Sequence, residues 1–456
     1  MNRHILKPED LRDQGFHTVI VGSPDLQGRL LGRRIPVEGF ERVLKEGVEV
    51  CTCAWAWDTT QSLSLVESGA FELCNYANGI PDVRLRPDLS TLRRAAWLEG
   101  VAICLADPVD IKTEEPMTIS PRVLLKKEIE AYRQSGLVPK AGTELEFYLF
   151  RNDPRELREQ GFRNLRPTTL VASDFMIHEG NAYEWFFRKL RDDLKNSGIE
   201  MEAAQSEYGL GQWEMTFVYG DPLEMADRHL LYKLAVRDSA VAAGLSVSFM
   251  AKPVNSQPGS SCHVHFSILD ESGNTVFWDD SADHNMSETM RYATAGVLQH
   301  IPEFMVWYAP TVNAYRRVNS TMVAGSGRTW GHENRTVSVR RVGSTPSSMR
   351  FEFRLPGADT NPYLTLAGLL ASARDGITNK STLCPPTTGN AYALPPDTGM
   401  PTHLGEAAEL FCESEFVQEI IGKENARHFK ELAGDEWRQF QSSVTDWELD
   451  RYFDRI

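Results

Sequence analysis

Four short segments of strict alternation constrain this chain more than any other feature. In 142–150, GTELEFYLF, an extended strand puts Glu144, Glu146 and Tyr148 on one face and Leu145, Phe147 and Leu149 on the other. Residues two apart on a strand point the same way, ~6.5–7 Å apart. That spacing suits two carboxylates serving neighbouring divalent ions, or both sides of one. In 211–217, GQWEMTF, Gln212, Glu214 and Thr216 oppose Trp213, Met215 and Phe217, with Glu207 seven residues before Glu214. In 262–267, CHVHFS, His263, His265 and Ser267 share a face. In 350–354, RFEFR, Arg350, Glu352 and Arg354 oppose two phenylalanines.

Taken singly, each segment reads as the solvent face of an amphipathic strand, because antiparallel sheets often have one wet side. Taken together, their composition argues otherwise. Lysine is absent from all four. What remains is mostly Glu and His, ligands for Mg²⁺ or Mn²⁺, and Arg, the bidentate partner of carboxylate and phosphate. A sheet curved around a polar, metal-filled cleft accounts for the whole set. The His-x-His pair alone is equally a core histidine pair.

A fifth segment, 330–341, WGHENRTVSVRR, supplies Arg335, Arg340 and Arg341, and Arg316 and Arg317 precede it in TVNAYRRVN. Guanidiniums near carboxylate-bound metals suit a nucleotide polyphosphate and a transferring phosphoryl group. No GxxxxGK[ST] loop and no GxGxxG after a strand is present, so neither a P-loop nor a Rossmann site is supported. The glycine-rich stretch 324–329 reads as a surface loop or a flap.

The net charge of −15 argues against nucleic acid and anionic membranes as partners. The seven cysteines are odd in number and include no CxxC pair, which predicts reduced thiols in a cytoplasm. The N-terminus lacks an apolar signal core, and no run approaches the ~18–20 apolar residues that span a bilayer. A soluble protein is expected.

The stretch 106–121 holds three prolines and a charge cluster and is the best boundary, dividing a unit at 1–110 from one at 111–456. The first unit reads as short strands and turns with a helix at 37–47. The second opens on a helix with Ser120 as N-cap, Pro121 in the first turn and Leu124, Leu125, Ile129 and Tyr132 on one face. Further helical patterns cover 181–196, 222–243, 286–300, 361–377 and 404–421. The mixture gives α+β or α/β.

These motifs, in this order, resemble the glutamine synthetase superfamily: ELE, an E-x6-E ending in GQWE, GSSCHVH, NAYRR, WGHENRTVSVR and RFEFRLPGADTNPYL. The resemblance runs from about residue 17 to the C-terminus. DLQGRLLGRRIP, APTVNAYRR, the WGHENR form and the tail VTDWELDRYF are most similar to the γ-glutamylputrescine and γ-glutamylethanolamide synthetase branch. It implies an α+β fold, with a small β-grasp N-terminal domain and a large catalytic domain built on a curved antiparallel sheet flanked by helices. It implies an ATP-dependent ligase acting through γ-glutamyl phosphate, with two or three Mg²⁺ or Mn²⁺ per site. It also implies a dodecamer of two stacked six-membered rings, with active sites between subunits. By motif, Glu146, Glu207 and Glu214 hold one metal and Glu144, His263 and Glu352 the other. Arg317 and Arg354 bind the glutamate α-carboxylate near the Gly259 backbone. Arg335 contacts glutamate and, with Arg340, the transferring phosphoryl group. Arg350, His265, Ser267, Tyr219 and Glu207 complete the nucleotide site. Asp58 matches an N-terminal aspartate that the family places in a neighbouring subunit's site.

Two departures bear on the substrate. The ammonia-using enzymes carry a flap glutamate six residues after the arginine matching Arg317; here Val323 stands there. Losing that carboxylate removes an ammonium counter-charge and favours a larger amine, with ordinary ammonia-using glutamine synthetase as the alternative. Pro258-Gly259 replaces the family's Asn-Gly. Tyr392, near where some members are adenylylated, reads as a structural tyrosine with ring packed and hydroxyl paired. A catalytically silent relative and a two-metal hydrolase are further alternatives. The intact ligand positions oppose the first, and the arginine excess opposes the second.

Overall fold

The computed structural model describes residues 5–320 and 327–456. Val323 therefore lies outside the described residues.

The N-terminal sheet has six strands: β1 (Thr18–Pro24), β2 (Leu30–Pro36), β3 (Val48–Cys51), β4 (Asp82–Pro87), β5 (Arg93–Arg94) and β6 (Val101–Asp110). Their order is β2-β1-β6-β4-β3, with β5 also on β6. β1 and β6 run parallel, and the other pairs are antiparallel. The second sheet contains β7 (Leu137–Phe150), β8 (Met201–Ser206), β9 (Gln212–Phe217), β10 (Ser246–Ser248), β11 (Cys262–Asp270), β12 (Trp330–His332), β13 (Val339–Val342) and β14 (Arg350–Phe353). Its order is β12-β13-β14-β11-β7-β9-β8, with β10 on β7.

This sheet departs from the purely antiparallel expectation at one edge, where β12 and β13 pair in parallel. Glu333, at φ 50°, starts the turn that brings the chain back alongside itself in the same direction. The pair is only three residues long, so the short connection spans it.

One face of the sheet is apolar. Leu145, Phe147, Leu149, Trp213, Met215, Phe217, Val264, Phe266, Phe351 and Phe353 are all buried. Burying each such side chain is worth ~1.5–3 kcal/mol. Helices Pro121–Gln134 and Pro222–Ala242 pack on β7, and Pro362–Asn379 packs on both of them and on Glu288–His300. The last two helices meet at Gly296 and Gly376. A Cβ on Gly296 would lie 2.2 Å from the Ser372 carbonyl oxygen and 2.7 Å from the Gly376 Cα, so only glycine permits this approach.

The helices follow their sequence signals, with two differences. Ser120 stands at the N-cap of Pro121–Gln134, but its buried hydroxyl makes no capping bond. The stretch 404–421 is two helices, Leu404–Glu413 and Glu415–Ile421, because Ser414 turns extended and caps the second by accepting from the Val417 amide.

A buried arginine ties the two sheets' units together. Arg122 is fully buried. Its guanidinium donates to Asp88 at 2.8 Å, Asp107 at 2.9 Å and Asp227 at 3.0 and 3.1 Å. Asp88 and Asp107 belong to the N-terminal unit, and Asp227 lies on helix Pro222–Ala242. Among the described residues, no helix is long and apolar enough to cross a membrane. All seven cysteines are free thiols.

Candidate metal and nucleotide site

Strand register assembles the site. Directly opposed residues of an antiparallel pair share a face. Gln205 opposes Glu214 across β8–β9, and Glu214 opposes Glu146 across β9–β7. Glu144 opposes His263 across β7–β11. Glu352 on β14 opposes both His265 on β11 and Arg340 on β13. The polar faces of the alternating segments therefore form one continuous surface, with the apolar faces turned to the helices.

Two ligand sets emerge. Glu144, His263 and Glu352 each offer an atom within 4.8 Å of the others, and so do Glu146, Glu214 and His263. The first set is the one the resemblance implies. In the second, His263 takes the place expected for Glu207. Glu207 remains next to this group: the Gln205 amide donates to Glu207 at 3.2 Å and to Glu214 at 3.1 Å.

The electrostatics show a centre short of positive charge. Burial and then the neighbouring carboxylates Glu144, Glu146, Glu207 and Glu352 push Glu214 up to about 10. Burial and then Glu146 push Glu207 up to about 8. Burial would also raise Glu144, but its bonds to His263 and His265 outweigh that and hold it well below the usual carboxylate range. Among the described residues the buried His263 Nε2 has no partner. Crowded carboxylates that must hold protons for want of cations, beside an orphaned imidazole nitrogen, fit divalent ions with oxygen and nitrogen ligands.

Neighbouring groups fix these ligands. Glu146 Oε2 accepts from the Ser261 amide at 2.8 Å and from Gln212 Nε2 at 2.9 Å. Gln212 also donates to the Gly259 carbonyl at 2.9 Å, and the Tyr148 hydroxyl donates to the Pro258 carbonyl at 2.7 Å. The Pro258-Gly259 segment is thus clamped to β7 and β9. Sequence reasoning placed Gln212 and Tyr148 on the polar face without a role and missed Ser261 and Gln205. For Ser261 the signal was its place just before the CHVH strand; for Gln205, its spacing of two from Glu207.

Glu352 is 1% exposed and accepts from Arg354 and, at 2.9 Å, from Arg340. Arg340 also reaches Glu333 at 2.7 Å. His265 Nε2 meets Glu144 at 2.8 Å, and its Nδ1 accepts from Arg350 at 2.9 Å. Ser267 donates to the Met349 carbonyl at 3.0 Å. Tyr219 is 65% exposed and stands over Gly142 beside His265, where a Cβ on Gly142 would lie 3.4 Å from its own. Strand pairing and these contacts bring Glu352, Arg340, His265 and Arg350 together on one polar face.

Others stand apart. Arg317 is fully buried and donates to Ser261 Oγ at 2.7 Å and to the carbonyls of Leu355 and Arg354 at 2.6 and 3.1 Å. Gly259 presses on its stem: a Cβ there would lie 2.7 Å from Arg317 Cγ. Arg335 is exposed and has no bond among the described residues. Asp58 makes no bond to the ligand sets; its carboxylate accepts from Thr60 and the Ser62 amide, and it lines a separate cavity. Tyr392 departs from the expected packed tyrosine: it is 37% exposed, and its hydroxyl has no partner among the described residues.

The sequence profile described as glutamine synthetase, catalytic domain, matches residues 118–452. The chain is 36% identical to the γ-glutamylethanolamide synthetase GlnA4 of Streptomyces coelicolor, over 96% of this chain and 93% of that protein. It is 34% identical to the glutamate–isopropylamine ligase of a Pseudomonas species, over 100% and 99%. It is 33% identical to type-1 glutamine synthetase 2 of Dictyostelium discoideum, over 96% and 84%. A solved GmaS–ADP complex superposes with a TM-score of 0.83 at 25% identity, covering 99% of this chain and 100% of that one.

Proposed function

The chain belongs to the glutamine synthetase family, and we propose that it joins the γ-carboxylate of glutamate to an amine larger than ammonia, driven by ATP. The observation that carries a ligase reading is the convergence of Arg340 and Arg354 on Glu352, a carboxylate that also faces His263. Cations and a metal-ligand set then share one wall, as phosphoryl transfer requires. The choice of a substituted amine draws on two similar enzymes named for ethanolamide and isopropylamine chemistry, and on Val323 where a flap glutamate would stand.

A free carboxylate is a poor electrophile because its leaving group would be oxide. The γ-carboxylate oxygen attacks the γ-phosphorus of ATP, the bond to ADP breaks, and an acyl phosphate forms. The amine nitrogen then attacks the acyl carbon, inorganic phosphate leaves, and the amine proton passes to solvent or a carboxylate. Glu144, His263 and Glu352, and Glu146, Glu214 and His263 with Glu207 nearby, would hold divalent ions, which would supply positive charge to offset that of the phosphates. Mg²⁺ and Mn²⁺ both suit these donors. Arg340, and Arg335 from its exposed position, would meet the transferring phosphoryl group. Arg354 offers the glutamate α-carboxylate a guanidinium whose buried Nε has no partner, while Arg317 braces Ser261 and the 354–355 backbone. Tyr219, beside His265, offers a face for the adenine, with Arg350, His265 and Ser267 beneath it.

The finer organisation belongs to the same reading. A β-grasp unit spans 1–110 and a catalytic unit 111–456; the parallel β1–β6 pair at the heart of the first sheet supports it. A dodecamer of two hexameric rings gives Asp58 a role in a neighbouring subunit's site, consistent with its distance in bonding from the ligand sets of its own chain. The thiols fit a cytoplasmic enzyme.

The test is phosphate release from ATP with glutamate and a panel of ammonium, ethanolamine, putrescine and isopropylamine, each product identified by mass. Turnover with a substituted amine supports the proposal. Turnover with millimolar ammonium alone would instead make the chain an ordinary glutamine synthetase.

A further inference from the structure

A second cavity, of about 390 Å³, lies where the N-terminal unit meets the helices of the catalytic unit. None of the metal-ligand residues lines it. Its walls come from the β1–β2 turn, Asp58 and Thr59, helices Pro222–Ala242 and Lys423–Ser442, the 247–250 and 306–311 segments, and residues 359–364. The volume falls within the range of small-molecule sites.

Most of the lining is apolar, with Phe249, Trp307, Leu364 and Phe429 among it. Its polar part includes Arg29, Asp58, Arg237 and Glu436. Arg29 pairs with Asp25, Asp58 accepts from Thr60 and the Ser62 amide, and Glu436 accepts from the Val312 amide, while three other groups are incompletely paired. Lys233 is buried, and its ammonium donates to the Ala358 carbonyl at 2.9 Å. Asp359 Oδ2 accepts from Thr311 at 2.7 Å, but among the described residues the buried Oδ1 has no partner. Among the same residues the Trp307 indole N–H, on a ring 1% exposed, has none either. A buried ammonium retains spare protons, a buried carboxylate retains a spare oxygen, and the two do not pair with each other. Burial pushes Lys233 down to about 8 and raises Asp359, the direction expected of charges lacking full compensation.

A ligand carrying only a cation would satisfy Asp359 and leave Lys233 and Trp307 short of acceptors. A ligand carrying only an anion would do the reverse. We propose that this cavity binds a small zwitterion of the free amino-acid class with an apolar side chain. Its ammonium meets Asp359, its carboxylate meets Lys233 and the Trp307 N–H, and its side chain lies among Phe249, Leu364 and Phe429.

The cavity is connected to the catalytic cleft. Thr311, which holds Asp359, caps helix Val312–Val318, which carries Arg317. Lys233 holds the carbonyl of Ala358, whose amide donates to the Ser260 carbonyl beside Ser261 and Gly259. Occupancy therefore bears on both supports of the Pro258–Ser261 segment.

Isothermal titration calorimetry of the full-length protein with L-phenylalanine and L-leucine tests this. Phenethylamine and 3-phenylpropionate serve as single-charge controls. Saturable binding of the amino acids at one site per chain is expected, at least tenfold tighter than either control. Asp359→Asn and the cavity-filling Ala433→Phe should each weaken it at least tenfold, with the melting temperature and Mn²⁺ binding of each variant confirming a folded chain. Arg354→Ala, in the catalytic cleft, should leave it intact. The proposal is overturned by no saturable binding, by equal binding of a single-charge control, or by binding that Arg354→Ala abolishes and Ala433→Phe spares.

Discussion

Glu214→Gln separates the two tasks of the crowded carboxylates. Glu214 is buried, and its carboxyl is pushed up to about 10 by burial and by Glu144, Glu146, Glu207 and Glu352. At pH 7 without metal it is therefore protonated. Glutamine has nearly the same shape and can still accept the 3.1 Å bond from Gln205. Below pH 4.5, where the carboxyl is protonated both folded and unfolded, the substitution should change metal-free stability by no more than ~1 kcal/mol. At pH 7 the unfolded wild type has released that proton and must take it back to fold, so the variant should be the more stable by roughly 3 kcal/mol. Metal binding is different. Freeing a carboxylate from about 10 to pH 7 amounts to roughly three pKa units, or about 4 kcal/mol, that the ion must overcome in the wild type. Gln cannot release that proton and is a weaker ligand.

The pH dependence has a definite sign. A carboxyl raised in the folded state above its ordinary 4.5 binds its proton more tightly folded than unfolded. Its stability contribution is full below about 4.5 and is lost as pH climbs toward 8 for Glu207 and 10 for Glu214. Metal-free wild type should therefore lose melting temperature between pH 5 and 9, and Glu214→Gln should lose less. Mn²⁺ affinity of the wild type should rise about tenfold per pH unit for each proton displaced. Calorimetry in buffers of different ionisation enthalpy counts those protons, and Glu214→Gln should release about one fewer. Destabilisation of the metal-free variant by ~3 kcal/mol or more at pH 7 would show that Glu214 is an ionised, paired group and refute the reasoning.

Four further outcomes follow from single contacts. Arg122→Met leaves Asp88, Asp107 and Asp227 facing one another and should cost about 3–5 kcal/mol by urea unfolding, even though methionine fills the space. Gly259→Ala puts a Cβ 2.6 Å from the Ala251 carbonyl oxygen and against Arg317, and should cost at least ~2 kcal/mol in thermal or denaturant unfolding. Glu352→Ala should abolish ATP-dependent acyl transfer in a hydroxamate or phosphate assay; retained activity would misplace the site. Val323→Glu should raise turnover with ammonium relative to substituted amines, measured as a ratio of kcat/KM; an unchanged ratio would remove that position from amine choice.

The clustering of the candidate ligands on one face was legible because its signal is local. Alternation at Glu144/Glu146, Gln212/Glu214, His263/His265 and Arg350/Glu352 places each residue on a face without knowledge of the fold. What alternation omits is which strands are neighbours. That is why His263 came as a member of one ligand set when it borders both, and why Gln205, whose amide spans Glu207 and Glu214, carried no role. The parallel β12–β13 edge depends on one left-handed residue, Glu333, in a loop with no turn signature of its own. The second cavity was illegible for a stronger reason. Lys233 and Trp307 sit in helical patterns and Asp359 in a turn, on segments far apart in the chain. Their incomplete pairing exists only once the units have met.

Strand register has a consequence for the order of events in folding. Glu144, Glu214, His263 and Glu352 lie on four strands, and the pairings that align them span about two hundred residues of chain. A slip of one residue in any ladder would turn that strand's ligands into the helical layer and a phenylalanine or leucine into the cleft. Each ligand set draws on three strands, β7, β11 and β14 or β7, β9 and β11, so a sheet that lacks β7 or β11 presents neither. A divalent ion held by either set would favour the alignment that keeps those ligands on one face.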